Sequence, residues 1–433
     1  MIARERPPET LARWVYAALL RLLTPLYLLR LWRRGGAEPA YRQRLGERLG
    51  FFDAPSGETG RLWIHAVSLG ETLAAAALLA ALRAQRPGLR LLLTHSTATG
   101  LAAGAKLLQA GDAQTWLPYD TPGAVRRFLR HWRPAAGVLM ETEIWPVLLH
   151  EAARAGLPMV LANARLSAKS ERQGRRLAWL LHPAARRLAL VLAQTEADAQ
   201  RLRASGAPRI EVCGNLKFDL QPDATLLARG RAWRAQLARP VLLLAVSREG
   251  EEALLLQAWR AVRGADRPLL LIVPRHPQRF DEVAALITGQ GLSLVRRSTW
   301  QDLPPTEAWQ ADAWLGDSMR EMALYYGLAD VALLGGSFAP LGGQNLIEAA
   351  ACGCPLVMGP STFNFAKAAE LAEAAGAARR VADMPQALVQ ALHLALLPAR
   401  RAEASAQAQA FAAQHGGAAA RMASEVLALM PAH

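Results

Sequence analysis

The sequence predicts an α/β protein built from two doubly wound parallel-sheet domains. Three observations carry that expectation. The chain has 433 residues, more than one ordinary core accommodates. Short apolar runs alternate with helical patterns in two separate series, which is the spacing of βαβ units. Late in the second series an apolar run, Val331 to Leu334, enters a glycine-rich turn that opens a helical stretch at Asn345. Such a turn brings backbone close to a ligand and presents the free N–H groups of a helix start.

The first series reads Leu62 to His65, Leu91 to Thr94, Ala136 to Met140, Met159 to Ala162, Leu190 to Ala193 and Ile210 to Val212. A polar, arginine-rich stretch after Asp219 separates it from the second. That series reads Val241 to Ala245, Leu269 to Val273, Leu292 to Val295, Ala313 to Leu315, Val331 to Leu334 and Leu356 to Met358, followed by an alanine-rich helical tail from Met384. The expected boundaries are a hydrophobic helix in residues 1–35, a first domain at 36–220, a linker at 221–238 and a second domain at 239–433. The terminal helices of the second domain can pack back on the first. Two such domains facing each other leave a cleft at their strand C-termini, where ligands bind.

Composition narrows the partners. A hydrophobic fraction of 52% with 20% charged residues describes a folded chain. Formal net charge is +14, and only four lysines contribute to it: Lys106, Lys169, Lys217 and Lys367. Genomic base composition accounts for part of the arginine bias, and an anionic membrane surface is the partner it favours. Aromatic residues do not interleave with basic runs, so nucleic acid is not expected. Cys213, Cys352 and Cys354 match neither a disulfide framework nor a zinc site and read as small core residues of a cytosolic protein. No metal and no cofactor is expected.

From Leu11 to Trp32 the chain is rich in Leu, Trp and Tyr, interrupted by Arg21 and Pro25 and followed by Arg33 and Arg34. A central arginine costs roughly 2.5–3.5 kcal/mol in a spanning helix. The segment reads as an interfacial helix or short anchor, or else as an amphipathic helix packed on its own domain; membrane attachment, with the catalytic body on the positively flanked, cytoplasmic side, is the favoured expectation.

Several motifs end predicted strands. In His65-Ala66-Val67-Ser68-Leu69-Gly70-Glu71, Glu71 stands where a helix begins and can act as a general base; a first-turn glutamate that favours the helix dipole is the alternative. Met140-Glu141-Thr142-Glu143-Ile144-Trp145-Pro146 places two carboxylates after an apolar run, of which one is expected to enter the cleft. Lys217, in Gly214-Asn215-Leu216-Lys217-Phe218-Asp219, is a compact charge suited to a phosphate or carboxylate, or simply a surface lysine. Pro274, Arg275 and His276 cap a strong apolar strand and suit phosphate recognition. In Gly316-Asp317-Ser318-Met319-Arg320-Glu321, Asp317 or Ser318 reads as a helix N-cap, with Glu321 at capping-box distance from Ser318. Glu348, in the first turn after Asn345, can accept hydrogen bonds from sugar hydroxyls.

Together these motifs resemble the Kdo (3-deoxy-D-manno-octulosonic acid) transferases of bacterial lipopolysaccharide assembly. The resemblance runs from the N-terminal segment to about Phe365. It also takes in LPYD (Leu117 to Asp120), NARLS (Asn163 to Ser167), VPRHPQRF (Val273 to Phe280) and GGQNLIEAAACGCPLVMGPSTFNF. It implies a GT-B glycosyltransferase of two Rossmann-like domains, the first for the acceptor and the second for the donor. The donor it implies is CMP-Kdo, and the acceptor the lipid A precursor at the cytoplasmic face of the inner membrane. The implied reaction is an inverting, metal-independent transfer. By the resemblance Glu71 is the general base, and Glu141 and Lys217 stabilise the transition state. Pro274, Arg275, Met319, Arg320, Glu321, Asn345, Leu346, Ile347 and Glu348 contact CMP, with His276 adjacent. Where the family has Ser-Thr-His-Glu-Gly-Glu-Glu, this chain reads Val246-Ser247-Arg248-Glu249-Gly250-Glu251-Glu252. The alternative within enzymes is another GT-B enzyme or a sugar-nucleotide epimerase that uses a uridine donor.

Overall fold

The computed structural model describes residues 5–53, 59–219, 221–264 and 267–431. The chain forms two compact units, Met1–Asp219 together with Gly416–His433, and Leu220–His415. Each unit holds one seven-stranded parallel sheet.

In the first unit the strands are β1 (Leu62–His65), β2 (Leu91–His95), β3 (Ala113–Trp116), β4 (Ala136–Met140), β5 (Met159–Ala164), β6 (Leu190–Ala193) and β7 (Ile210–Val212). Their order is β3-β2-β1-β4-β5-β6-β7. Parallel sheets are covered on both faces, so their inner strands are apolar throughout. Side-chain alternation divides β1 between two cores. Leu62 and Ile64 join the cluster under the helix α2 (Leu69–Gln85), and Trp63 joins the opposite cluster with Phe128 and Leu149. The C-terminal helix Ala418–Leu427 closes the α2 side, burying Met422 and Val426.

The second unit has β8 (Val241–Ser247), β9 (Leu269–Pro274), β10 (Leu294–Arg296), β11 (Ala313–Leu315), β12 (Val331–Leu334), β13 (Leu356–Met358) and β14 (Ala378–Arg380), in the order β10-β11-β9-β8-β12-β13-β14. Residues 221–238, expected as a linker, hold the helix Ala224–Gln236, which packs on the helix Met322–Leu328. Two glycines allow that close crossing. A Cβ on Gly230 would lie 2.1 Å from the Leu324 carbonyl, and one on Gly327 would lie 2.6 Å from the Leu227 carbonyl.

The N-terminal segment is one helix, α1 (Pro7–Arg34), which continues through Pro25. Its start is held from one side: the Arg6 N–H donates to the Glu9 side chain at 2.9 Å, and prolines fill the first two positions. Among the described helices it is the one long and apolar enough to cross a membrane. It also docks on its own unit. Glu5 binds Arg13 at 2.9 Å and Arg187 at 2.8 Å, Glu9 binds Arg186 at 2.6 Å, and Tyr16 and Ala17 pack against the core. Leu11, Trp14, Leu19, Leu22, Leu26 and Trp32 remain exposed.

Candidate active site

Strand order sets where chemistry can gather. In the first sheet the order reverses at β1, so β2 and β4 flank it on opposite sides, and the segments leaving β1 and β4 lie at the reversal. Ligands of doubly wound sheets bind at such a point. Glu71 follows β1, and Glu141 and Glu143 follow β4.

Glu71 sits in the first turn of α2, where Ser68 is the N-cap. Its carboxylate accepts the Val67 N–H at 2.8 Å and the Ser68 hydroxyl at 3.0 Å. The expected dipole-favouring role is therefore real, and it fixes the side chain. It does not account for the charge environment. Burial pushes the Glu71 carboxyl above its ordinary value of 4.5, and the Glu141 charge adds to the rise against the hydrogen bonds that lower it. Glu143 is pushed up to about 7, first by burial and then by the charges of Glu71 and Glu141. Like charges at close quarters disfavour ionisation, so Glu71 and Glu143 each hold a proton more readily than an isolated carboxylate. Glu141 is also held at φ 60, a left-handed conformation uncommon outside glycine and often found at functional sites.

Motif reading weighed Glu143 together with Glu141 but assigned a role only to Glu141. Asn163 received none. It is fully buried at φ 53, and its side-chain oxygen accepts the Leu216 N–H at 3.1 Å. This ties the end of β5 to the 3₁₀ turn Leu216–Asp219 that carries Lys217. The same turn packs on α2, and the Lys217 N–H is bound by the Asn215 side chain at 3.0 Å. Asp219 accepts the N–H groups of Gly417 and Ala419, which fastens the returning C-terminal helix. Asp120, of the LPYD motif, is fully buried and accepts the Val147 and Leu148 N–H groups at 3.1 and 2.6 Å, capping the helix after Trp145. Burial raises its carboxyl to about 6. Its role is structural.

In the second sheet the order reverses at β8. Pro274 is the last residue of β9; Arg275 is exposed and His276 half-buried beyond it. The Arg275 N–H bonds to the Ser247 carbonyl at 3.0 Å, joining this turn to β8. After β11, Met319 is 53% exposed and Arg320 adopts φ 67. The capping expectation is corrected here. The helix begins only at Met322, and neither Asp317 nor Ser318 is its N-cap. Asp317 instead takes Arg296 at 2.7 Å and the Ser298 N–H at 2.8 Å. Glu321 binds Arg297 at 2.9 Å and the Ser318 hydroxyl at 2.5 Å. The side-chain partners arrive from Arg296 to Ser298, across the sheet, and outcompete the local cap.

The glycine-rich turn after β12 is pinned from the helix Glu251–Trp259 that follows β8. Glu251, fully buried, accepts the N–H groups of Gly336 at 2.7 Å, Phe338 at 3.0 Å and Arg248 at 2.9 Å. A Cβ on Gly335 would lie 2.3 Å from the Val246 carbonyl, so only glycine fits that crossing. Arg248 pairs with Glu249 at 3.1 Å. Asn345 is the N-cap of the helix Leu346–Ala351 and accepts the Ile347 N–H at 3.1 Å. Leu346 and Ile347 are core side chains, so they can offer a ligand only their main chain. Glu348 is half-buried, and burial raises its carboxyl above 4.5. Among the described residues no group of His, Cys, Asp or Glu is placed to hold a metal ion. All three cysteines are free and buried.

Two doubly wound parallel sheets, each with polar side chains gathered where its strand order reverses, give the chain a fold of the GT-B type. Among solved structures, the glycotransferase of kitacinnamycin shares this fold, with 16% identity over 87% of this chain and all of that one, and a TM-score of 0.52. The family description "3-Deoxy-D-manno-octulosonic-acid transferase (kdotransferase)" matches residues 43–220. A 3-deoxy-D-manno-octulosonic acid transferase of Bordetella pertussis is 47% identical over 95% of this chain and 98% of its own length. One of Haemophilus influenzae is 36% identical over 82% and 83%. The chain belongs to the Kdo transferase family, and it is a glycosyltransferase.

Proposed function

We propose that the protein transfers Kdo from CMP-Kdo to a hydroxyl of the lipid A precursor by a single in-line displacement that inverts the anomeric centre without a metal ion. Glu71 takes the proton of the attacking hydroxyl as the bond to CMP breaks. Lys217 and Arg275 offset the charge on the departing phosphate, and Glu141 stabilises the oxocarbenium-like transition state. Pro274, His276, Met319, Arg320, Asn345, Leu346 and Ile347 bind the nucleotide, the last two through their backbone. Glu321 keeps that turn in shape, and Glu348 accepts sugar hydroxyls. The observation that supports this reading most is Glu71: fixed by a helix N-terminus, partly buried, and raised in pKa beside two further carboxylates.

The test is to incubate the protein with CMP-Kdo and a tetraacylated lipid A precursor and weigh the products. The expected result is a lipid heavier by whole Kdo units, with CMP released in equal amount, inverted at the anomeric carbon, and undiminished by EDTA. CMP-Kdo left intact beside unmodified lipid would overturn the reading.

We further propose that α1 lies on the cytoplasmic face of the inner membrane. Its ion pairs to Arg186 and Arg187 and its packed Tyr16 support a surface location, with the exposed leucines and tryptophans entering the headgroup region. Leu22→Glu with Leu26→Glu is expected to reduce partitioning onto phosphatidylglycerol vesicles at least tenfold in a sedimentation assay. Fully burying one leucine contributes about 1.5–3 kcal/mol. Unchanged partitioning would take α1 out of the contact.

A further inference from the structure

The first unit contains a cavity of about 500 Å³ that the transfer chemistry does not use. Its volume falls within the ~300–1,000 Å³ of small-molecule sites. The buried Leu161, Leu188 and Leu202 belong to its lining, and Ile144 and Leu181 add further apolar surface. Glu141 borders the same space. An apolar chain seated there therefore ends beside the candidate catalytic carboxylates. Arg165 and Arg175, both exposed, contribute cationic heads to the lining; Arg175 is shared with Glu171 at 2.7 Å. Arg165 and Leu166 come from the NARLS motif, which the reaction as derived leaves without a chemical task.

One helix links the cavity to α1. Leu181 and Ala185 lie on the helix Ala178–Ala185, which packs on α1. Leu177 and Trp179, at the start of that helix, are 56% and 57% exposed. The helix that carries Leu181 and Ala185 into the lining thus also bears exposed apolar side chains and packs on α1. A sugar acceptor alone has no use for such a lining, whereas a molecule with a hydrocarbon tail and a phosphate matches both the apolar lining and the arginines.

We infer that this cavity seats an acyl chain of the phosphorylated acceptor lipid, with Arg165 receiving its phosphate. The inference rests on the lipid-acceptor reading above and deepens it: the chain anchors the acceptor so that its sugar hydroxyl stands at the carboxylates. Arg165 and the apolar lining are specificity elements, not catalytic ones.

Two measurements test it on the full-length protein. Calorimetry with tetradecyl phosphate, below its micelle concentration, is expected to show binding, and decyl phosphate to bind on the order of 10²-fold more weakly. That figure follows from about 0.8 kcal/mol per methylene, or roughly fourfold each. Ser205→Trp, which fills the cavity from the end of the helix Glu196–Ala204, is expected to lower tetradecyl phosphate affinity at least tenfold. Leu181→Gln, a smaller perturbation, is expected to do so several-fold. CMP affinity and the far-UV circular dichroism of both variants should match the wild type. The second measurement is KM for acceptors of increasing acyl length, expected to fall with length in the wild type and to flatten in the variants. Chain-length dependence that is absent in the wild type, or equally steep in both variants, overturns the cavity assignment while leaving lipid glycosylation standing. Alkyl phosphate binding that responds to the variants, with no lipid glycosylated at all, supports the cavity and overturns the proposed acceptor.

Discussion

Glu71→Gln is expected to retain CMP-Kdo affinity and to lose turnover by about 10²–10⁴, the range that follows removal of a general base. The amide is isosteric and can still accept the Val67 N–H, so the start of α2 should keep its shape. Only the proton acceptor is lost. The pH profile gives a second readout. A base must be ionised to act, and Glu71 is raised above 4.5 by burial and by Glu141. In the wild type, kcat/KM should therefore fall on the acid side at a pH above the ordinary carboxylate range. Removing the neighbouring charge reverses part of that rise, so in Glu141→Gln the acid limb should move to lower pH, whatever happens to the maximal rate. Near-normal turnover of Glu71→Gln, or an acid limb that stays in place in Glu141→Gln, would remove Glu71 from the role.

Glu251→Ala is expected to cost about 3–5 kcal/mol and to lower the melting temperature by about 10 °C. Three N–H groups, those of Gly336, Phe338 and Arg248, converge on this fully buried carboxylate. An unsatisfied buried donor costs roughly 1–3 kcal/mol, and in a domain of this size each kcal/mol shifts the melting point by about 2–4 °C. The damage should be local in function as well. The glycine-rich turn after β12 loses its tether, so KM for the donor should rise more than kcat falls. Glu251→Gln, which keeps one acceptor oxygen, should lie between the two. Differential scanning calorimetry and donor titration check both points; a wild-type melting point in the alanine variant would contradict the assignment.

The two sheets were legible because their central strands are continuous apolar runs. The two strands that motif reading missed stand at sheet edges: Ala113–Trp116 and Ala378–Arg380. An edge strand has one neighbour and one covered side, so sequences such as Ala-Gln-Thr-Trp and Ala-Arg-Arg carry no periodic signal there. The stretch 221–238 looked like a linker because its helix is polar. What docks it is the removal of two side chains, at Gly230 and Gly327, which composition cannot reveal. Membership of the Kdo transferase family followed from ordered motifs. The residues that hold those motifs in place did not. Asn163 and Glu251 act on backbone N–H groups 53 and about 85 residues away, and spacing along the chain is silent about such pairs. The Ser318–Glu321 spacing did look like a local cap, but the Ser318 hydroxyl donates to the Glu321 carboxylate, which also takes Arg297.

The C-terminal helix has a bearing on how the protein is made. Residues up to Asp219 leave the ribosome long before Gly416, and synthesis at ~5–20 residues per second puts roughly ten to forty seconds between them. Throughout that interval the oily flank of α2 that will receive Met422 and Val426 is bare, and Asp219 lacks the amides it will bind. The nascent chain thus emerges with its opening lobe unfinished, and a stretch translated only after the second lobe is the piece that completes the first.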